Sequence, residues 1–126
     1  MNATVEEKSF HFAVRIVNLS KFLVESKKEF ILSKQLLRAG TSIGANIVEA
    51  QQAQSTADFI AKLSISLKEA CETEYWLRLL NATEYLSEKE YISIIADCRE
   101  IVKMLTAIIK SAKNKKTVNC QLSTVN

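Results

Sequence analysis

The sequence predicts an all-α chain, an antiparallel up-down-up-down four-helix bundle, on three observations. Proline is absent and glycine occurs only at Gly40 and Gly44, too few turn formers for a β-rich domain of this length. Apolar residues recur at spacings of three and four through most of the chain, the period of a helix with one face on a core. At two breaks in that pattern a serine is followed three positions later by an acid, Ser55 by Asp58 and Ser87 by Glu90, as at the start of a capped helix.

The first helix is expected over about 6–25. Phe12, Ile16, Leu19 and Leu23 form its core stripe, and Phe10, Val14 and Val17 form a second apolar row beside it. The width of that face predicts contact with more than one neighbour. After a break at 26–29 the second helix is expected over about 30–52, burying Leu36, Ile43, Ile47 and Ala50. Gly40 and Gly44 share one of its faces, where each costs up to ~1 kcal/mol against alanine. Close approach of a neighbouring helix is the expected reason for both.

The third helix, from about 55 to 81, carries Phe59, Leu63, Leu67, Ala70, Leu77 and Leu80. Glu74 and Arg78 on it are spaced for an i,i+4 pair. The fourth begins after Ser87 with the cleanest period: Tyr91, Ile94/Ile95, Cys98, Ile101/Val102, Leu105 and Ile108/Ile109. From Asn114 the period is lost. The expected organisation is a bundle over 1–113 and a disordered polar and basic tail over 114–126.

Composition bounds the function. With 48% hydrophobic and 25% charged residues in 126, one packed domain is expected. No basic segment followed by an apolar core opens the chain, and no uncharged apolar run approaches the ~18 residues of a spanning helix. A cytoplasmic location without membrane association is therefore expected. Cys71, Cys98 and Cys120 form no CxxC pair. They read as reduced thiols, with Cys71 and Cys98 buried and inert.

Enzymatic and metal-dependent classes lack their residues. His11 is the single histidine, whereas a di-iron bundle needs two Glu-x-x-His motifs. There is no HExxH motif, zinc-spaced Cys/His set, Walker loop or GxGxxG loop. No catalytic residue, cofactor or metal is expected.

Two polar features remain. Gln35, Arg38, Ser42, Asn46 and Glu49 form a stripe on the second helix. If the second and third helices form a hairpin turning near Gln54, Arg38 faces Glu69 or Glu72. Such a cluster fixes helix register, or else it contacts a ligand or RNA. Trp76, one turn beyond Glu72, is open to core, base-stacking or subunit-interface roles, with interface the first expectation. The second feature is charge. The net charge is +3, and Lys110, Lys113, Lys115 and Lys116 cluster near the chain end without an acid among them, following Arg99 and Lys103. Such a run is either a nucleic-acid contact or a solvated helix end.

The run from Gln35 to Ala50 resembles the signature of a bacterial family, the four-helix bundle or intervening-sequence proteins of large-subunit ribosomal RNA. Its pattern, roughly Q-x-x-R-A-x-x-S-I-x-x-N-I-x-E-G, is matched by Gln35, Arg38, Ala39, Ser42, Ile43, Asn46, Ile47 and Glu49, with Ala50 in place of the final glycine. A second block follows in order: Asp58-Phe59-Ile60, Leu63, Ile65, Lys68-Glu69-Ala70, Glu72-Thr73 and Tyr75-Trp76-Leu77. The resemblance covers about 8–112. It implies relatives encoded within insertions in ribosomal RNA genes, under a ribosomal-protein-like label. It also implies kinship with the accessory variability protein of diversity-generating retroelements, a pentameric barrel of four-helix bundles that binds nucleic acid and a reverse transcriptase. It brings no catalytic residue.

The expectation is thus a non-enzymatic homo-oligomer, pentameric by the resemblance, that binds RNA or a nucleic-acid-processing partner such as a reverse transcriptase. Arg99, Lys103, Lys110, Lys113, Lys115 and Lys116 are its candidate contacts. The alternative is a protein-interaction adaptor without nucleic-acid affinity.

Overall fold

The computed structural model describes the backbone of residues 3–125 and the side chains of residues 3–115. Its elements are α1 (Val5–Glu25), α2 (Leu32–Gln51), α3 (Thr56–Ala82) and α4 (Glu88–Val125), with no strand among the described residues. The tail expected over 114–126 lies, beyond Lys115, outside the described side chains.

Local chemistry explains each boundary. The Thr4 hydroxyl accepts from the Glu7 amide at 3.1 Å, Ser55 from Asp58 at 3.0 Å and Ser87 from Glu90 at 3.2 Å, each satisfying a first-turn donor. At α2 the cap is a carboxylate: Glu29 accepts from the amides of Ile31, Leu32 and Ser33 at 3.0, 2.8 and 2.8 Å. This starts the helix at Leu32 rather than at the expected Phe30. The α3–α4 link closes as a Schellman motif. The Glu84 amide donates to the Asn81 carbonyl at 3.1 Å and the Tyr85 amide to Leu80 at 2.9 Å, with Glu84 at φ 66°.

Each helix packs against its neighbours in sequence, and α4 returns to α1. Among the described residues the diagonal pairs, α1 with α3 and α2 with α4, bring no Cα atoms within 8 Å of each other. Contacts advance along one helix as they retreat along the next. Gly44 lies on Ser9 and Gly40 on Ile16, Ser66 donates to Ile43, and Arg38 reaches Glu69. Those are the pairings of an up-down-up-down bundle. Its core holds Phe12, Ile16, Leu23, Leu36, Ile43, Leu77, Leu80, Ile101 and Leu105, all essentially inaccessible.

Both glycines serve close approach, as the spacing predicts. A Cβ on Gly40 would sit 2.7 Å from Ile16 Cγ2, and one on Gly44 3.3 Å from Ser9 Oγ. Polar atoms on the seams are satisfied: Ser66 Oγ donates to the Ile43 carbonyl at 2.8 Å and Ser9 Oγ to Glu6 at 2.9 Å.

Three expectations change. The second apolar row of α1 is not buried: Phe10 is 68% exposed and Val14 45%. The reason is geometric, since α1 meets α2 through Ser9 and Ile16 and α4 through Lys8 and Arg15, which turns that row outward. Cys71 is exposed, whereas Cys98 is buried. Burial, with lesser contributions from neighbouring charges, pushes the Cys98 thiol up to about 12, so it is protonated and inert. Finally, Glu74 pairs with Arg99 of α4 at 3.3 Å rather than with Arg78.

Candidate nucleic-acid interface

The α2–α3 stripe assembles in part. Arg38 Nη1 lies 3.2 Å from Glu69 Oε2, and its Nη2 contacts Glu72 Oε2. The same Glu72 oxygen accepts from Trp76 Nε1 at 3.0 Å. Ser42 and Asn46 turn back along α2 instead, donating to the carbonyls of Arg38 at 2.7 Å and Ser42 at 2.8 Å. Glu49 pairs separately with Lys62 at 3.3 Å, and Gln35 stands exposed outside the cluster.

This cluster joins side chains of α2 and α3. One guanidinium faces two carboxylates, so the formal charge is negative and repels phosphate. It ties α2 to α3 at one register, and Trp76 belongs to it as a half-buried donor packed on the core.

Along the second half of α4, beyond Glu100, the charge is of one sign. After Glu100 the chain contains no acid but has lysines at 103, 110, 113, 115 and 116. Arg99, Lys103, Thr106, Lys110 and Lys113 follow one another at spacings of four and three, so they share a helix face, and all are exposed. Arg99 is engaged by Glu74, whereas Lys103 and Lys110 have no ion-pair partner among the described residues. Lys115 lies off the stripe, lining a notch of about 790 Å³ between α4 and the α2–α3 turn. Lys116 lies outside the described side chains.

The opposite side of α4 is neutralised. Lys8 contacts Glu100, and Arg15 lies 2.6 Å from Asp97 while its other nitrogen meets Ser93 Oγ at 3.0 Å. The basic stripe therefore faces away from α1.

Several residues escaped the sequence reading. Lys68, Tyr75 and Arg78 of α3 are exposed and recur at helical spacing, a signal present in the chain but masked by the apolar period. A hollow of about 510 Å³ between α1 and α2 is walled by Phe10, Ala13, Gly44, Ala45 and Val48; nothing in the spacing distinguishes that outward row from a buried one. Among the described residues no group of three or more His, Cys, Asp or Glu is placed to hold a metal ion, and no helix is long and apolar enough to cross a membrane.

Comparison with known proteins bears on this bundle. No curated protein matches the chain. A solved structure from Bacteroides thetaiotaomicron, a protein of unknown function from the S23 ribosomal protein family, is 66% identical, superposes with a TM-score of 0.83, and covers 84% of this chain and 95% of its own. The family model for 23S rRNA-intervening sequence proteins matches residues 1–107. With four helices, the two sequence blocks and that match in agreement, the chain belongs to the 23S rRNA-intervening sequence protein family.

Proposed function

We propose that this protein is a non-enzymatic, self-associating helical scaffold that binds RNA, or a partner that processes nucleic acid, through α4. The observation that carries this reading is the one-signed stripe of Arg99, Lys103, Lys110 and Lys113 on a face of α4 other than the one where its carboxylates Asp97 and Glu100 pair with Arg15 and Lys8 of α1. A stripe of fixed cations tracks a phosphate backbone, and copies assembled together multiply a modest charge per subunit. The family description refers to 23S rRNA, which makes RNA the first polyanion to test.

Self-association is supported by the outward row on α1 and α2. Phe10 and Val48, 68% and 53% exposed, wall one hollow, and Val14, 45% exposed, stands one turn from Phe10 on α1; grouped exposed apolar residues of this kind mark interaction surfaces. The resemblance implies five copies. The same row favours the second reading, an adaptor whose docking surface is this hollow and which has no affinity for nucleic acid.

Mass measurement in solution combined with RNA binding at rising salt separates the two. The scaffold reading expects an oligomer that retains RNA at low salt and releases it steeply as salt rises. An oligomer that ignores RNA at low salt leaves the adaptor.

A further inference from the structure

The α4 stripe is one half of a broader basic face. Lys68, Cys71, Tyr75 and Arg78 follow one another on α3 at spacings of three and four, and all are exposed. The Glu74–Arg99 contact of 3.3 Å fixes this row beside Arg99 and Lys103. Cys98 Sγ on the Ala70 carbonyl at 3.4 Å holds the same two helices together underneath. From Lys68 to Arg78 and from Arg99 to Lys110 each row runs about 15 Å, on helices roughly 10 Å apart. Among the described residues Lys68, Arg78, Lys103 and Lys110 have no ion-pair partner. Glu74 is the acid between the rows, and it is engaged by Arg99.

Within this cationic field stands an aromatic ring. Tyr75 is 54% exposed, and its ring packs edge-to-face with Trp76, with centroids 5.1 Å apart at 74°. Trp76 is itself held by Glu72. The ring is therefore positioned by packing while one side remains open. Duplex nucleic acid offers such a face only phosphates, because its bases are stacked inside. A single strand offers phosphates for the lysines and a base for the ring, and the two together are what sequence-tolerant single-strand binders use.

We infer that the α3–α4 face is a single-strand binding track, with Tyr75 as its base-stacking platform and Lys68, Arg78, Lys103 and Lys110 as its phosphate contacts. This rests on the nucleic-acid reading of α4 and adds to it the strandedness of the ligand and the α3 half of the site.

The test uses the full chain, a fluorescent poly-U single strand and an RNA duplex of equal length, titrated across a salt series. The track predicts preference for the single strand. Tyr75→Ala should weaken single-strand binding about tenfold with the salt slope unchanged, and Tyr75→Phe should restore it. Lys103→Gln with Lys110→Gln should flatten the slope for both ligands. Tyr75 is exposed, so the variants should remain folded, which circular dichroism verifies. Weakening by the lysine pair with no effect of Tyr75→Ala, or equal affinity for duplex and single strand, overturns the track and leaves the α4 reading standing. Absence of RNA binding by the unmodified protein overturns both.

Discussion

Gly40 presses on Ile16 so closely that a Cβ built on it would lie 2.7 Å from Cγ2 and 2.8 Å from Cγ1. This contact sets the spacing of α1 and α2. Ile16 is fully buried, and the clash falls near the root of its side chain, where rotation gives little relief. Gly40→Ala should therefore destabilise the bundle. Overpacking costs about 1–3 kcal/mol, offset by about 1 kcal/mol of helix propensity, for a net loss of up to about 2 kcal/mol in urea unfolding. Gly44→Ala meets only a serine hydroxyl at 3.3 Å and should fall within about 0.5 kcal/mol of neutral. In an Ile16→Ala background the penalty at Gly40 should vanish. A Gly40→Ala variant as stable as the parent would show that α1 and α2 are spaced by something else.

Trp76 is the single tryptophan, so its fluorescence reports directly on the Arg38–Glu72 cluster. Glu72→Gln keeps an oxygen to accept from Nε1 and should leave both emission and stability almost unchanged. Glu72→Ala removes the acceptor and should red-shift the emission, with a loss of about 1 kcal/mol. Arg38 is 50% exposed, so its coupling to Glu72 in a double-mutant cycle should remain below about 1 kcal/mol. A larger coupling would mark the cluster as a main source of stability rather than a register device.

Glu29 links stability to acid. Burial alone would raise its pKa, but the amides of Leu32, Ser33 and Ile31 and the Ser33 hydroxyl hold it below the usual carboxylate value. A carboxyl whose pKa is lower folded than unfolded contributes stability above the unfolded pKa, near 4.5, and loses it as pH falls through the folded value. Glu29→Gln should cost about 1 kcal/mol at neutral pH, the worth of a cap. The gap from the parent should close as pH falls through the folded value. A gap that persists there would mean the loss is one of packing.

Glu84 at φ 66° and Lys28 at φ 54° are left-handed without being glycine. That region costs a side chain roughly 1–2 kcal/mol, part of which glycine returns as unfolded-state entropy. Glu84→Gly should stabilise by about 0.5–1 kcal/mol, read from the urea midpoint at constant m-value. A destabilised variant would show that the Glu84 side chain itself contributes to the link.

How much of this was legible in the chain follows from the physics of each feature. Helix positions and the core stripe were legible because burial imposes the 3.6 period on Phe12, Ile16 and Leu23 or on Ile94, Cys98 and Leu105. Antiparallel counting from the turn sufficed to place Arg38 opposite Glu69 and Glu72. The glycines were legible because two at a spacing of four inside an apolar helix have few other uses. The outward turn of Phe10 and Val14 was not, since one helix with two apolar rows does not say which row has a partner. Nor was the Glu29 cap, because capping from three residues upstream needs the left-handed step at Lys28. The Arg99–Glu74 and Arg15–Asp97 pairs join side chains distant in sequence, and local spacing is silent on them. The basic stripe was present in the sequence as a list of lysines; its one-sidedness required knowing where α1 put Lys8 and Arg15.

The central claim, that α4 presents a phosphate-binding stripe, is tested most directly by the salt dependence of RNA binding in the parent and in the Lys103→Gln, Lys110→Gln double variant. Plotted as log affinity against log salt, the variant slope should be shallower by about 1.4, twice the contribution of one phosphate contact on a single strand. Identical slopes for the two proteins, or no binding by the parent at low salt, would contradict the claim.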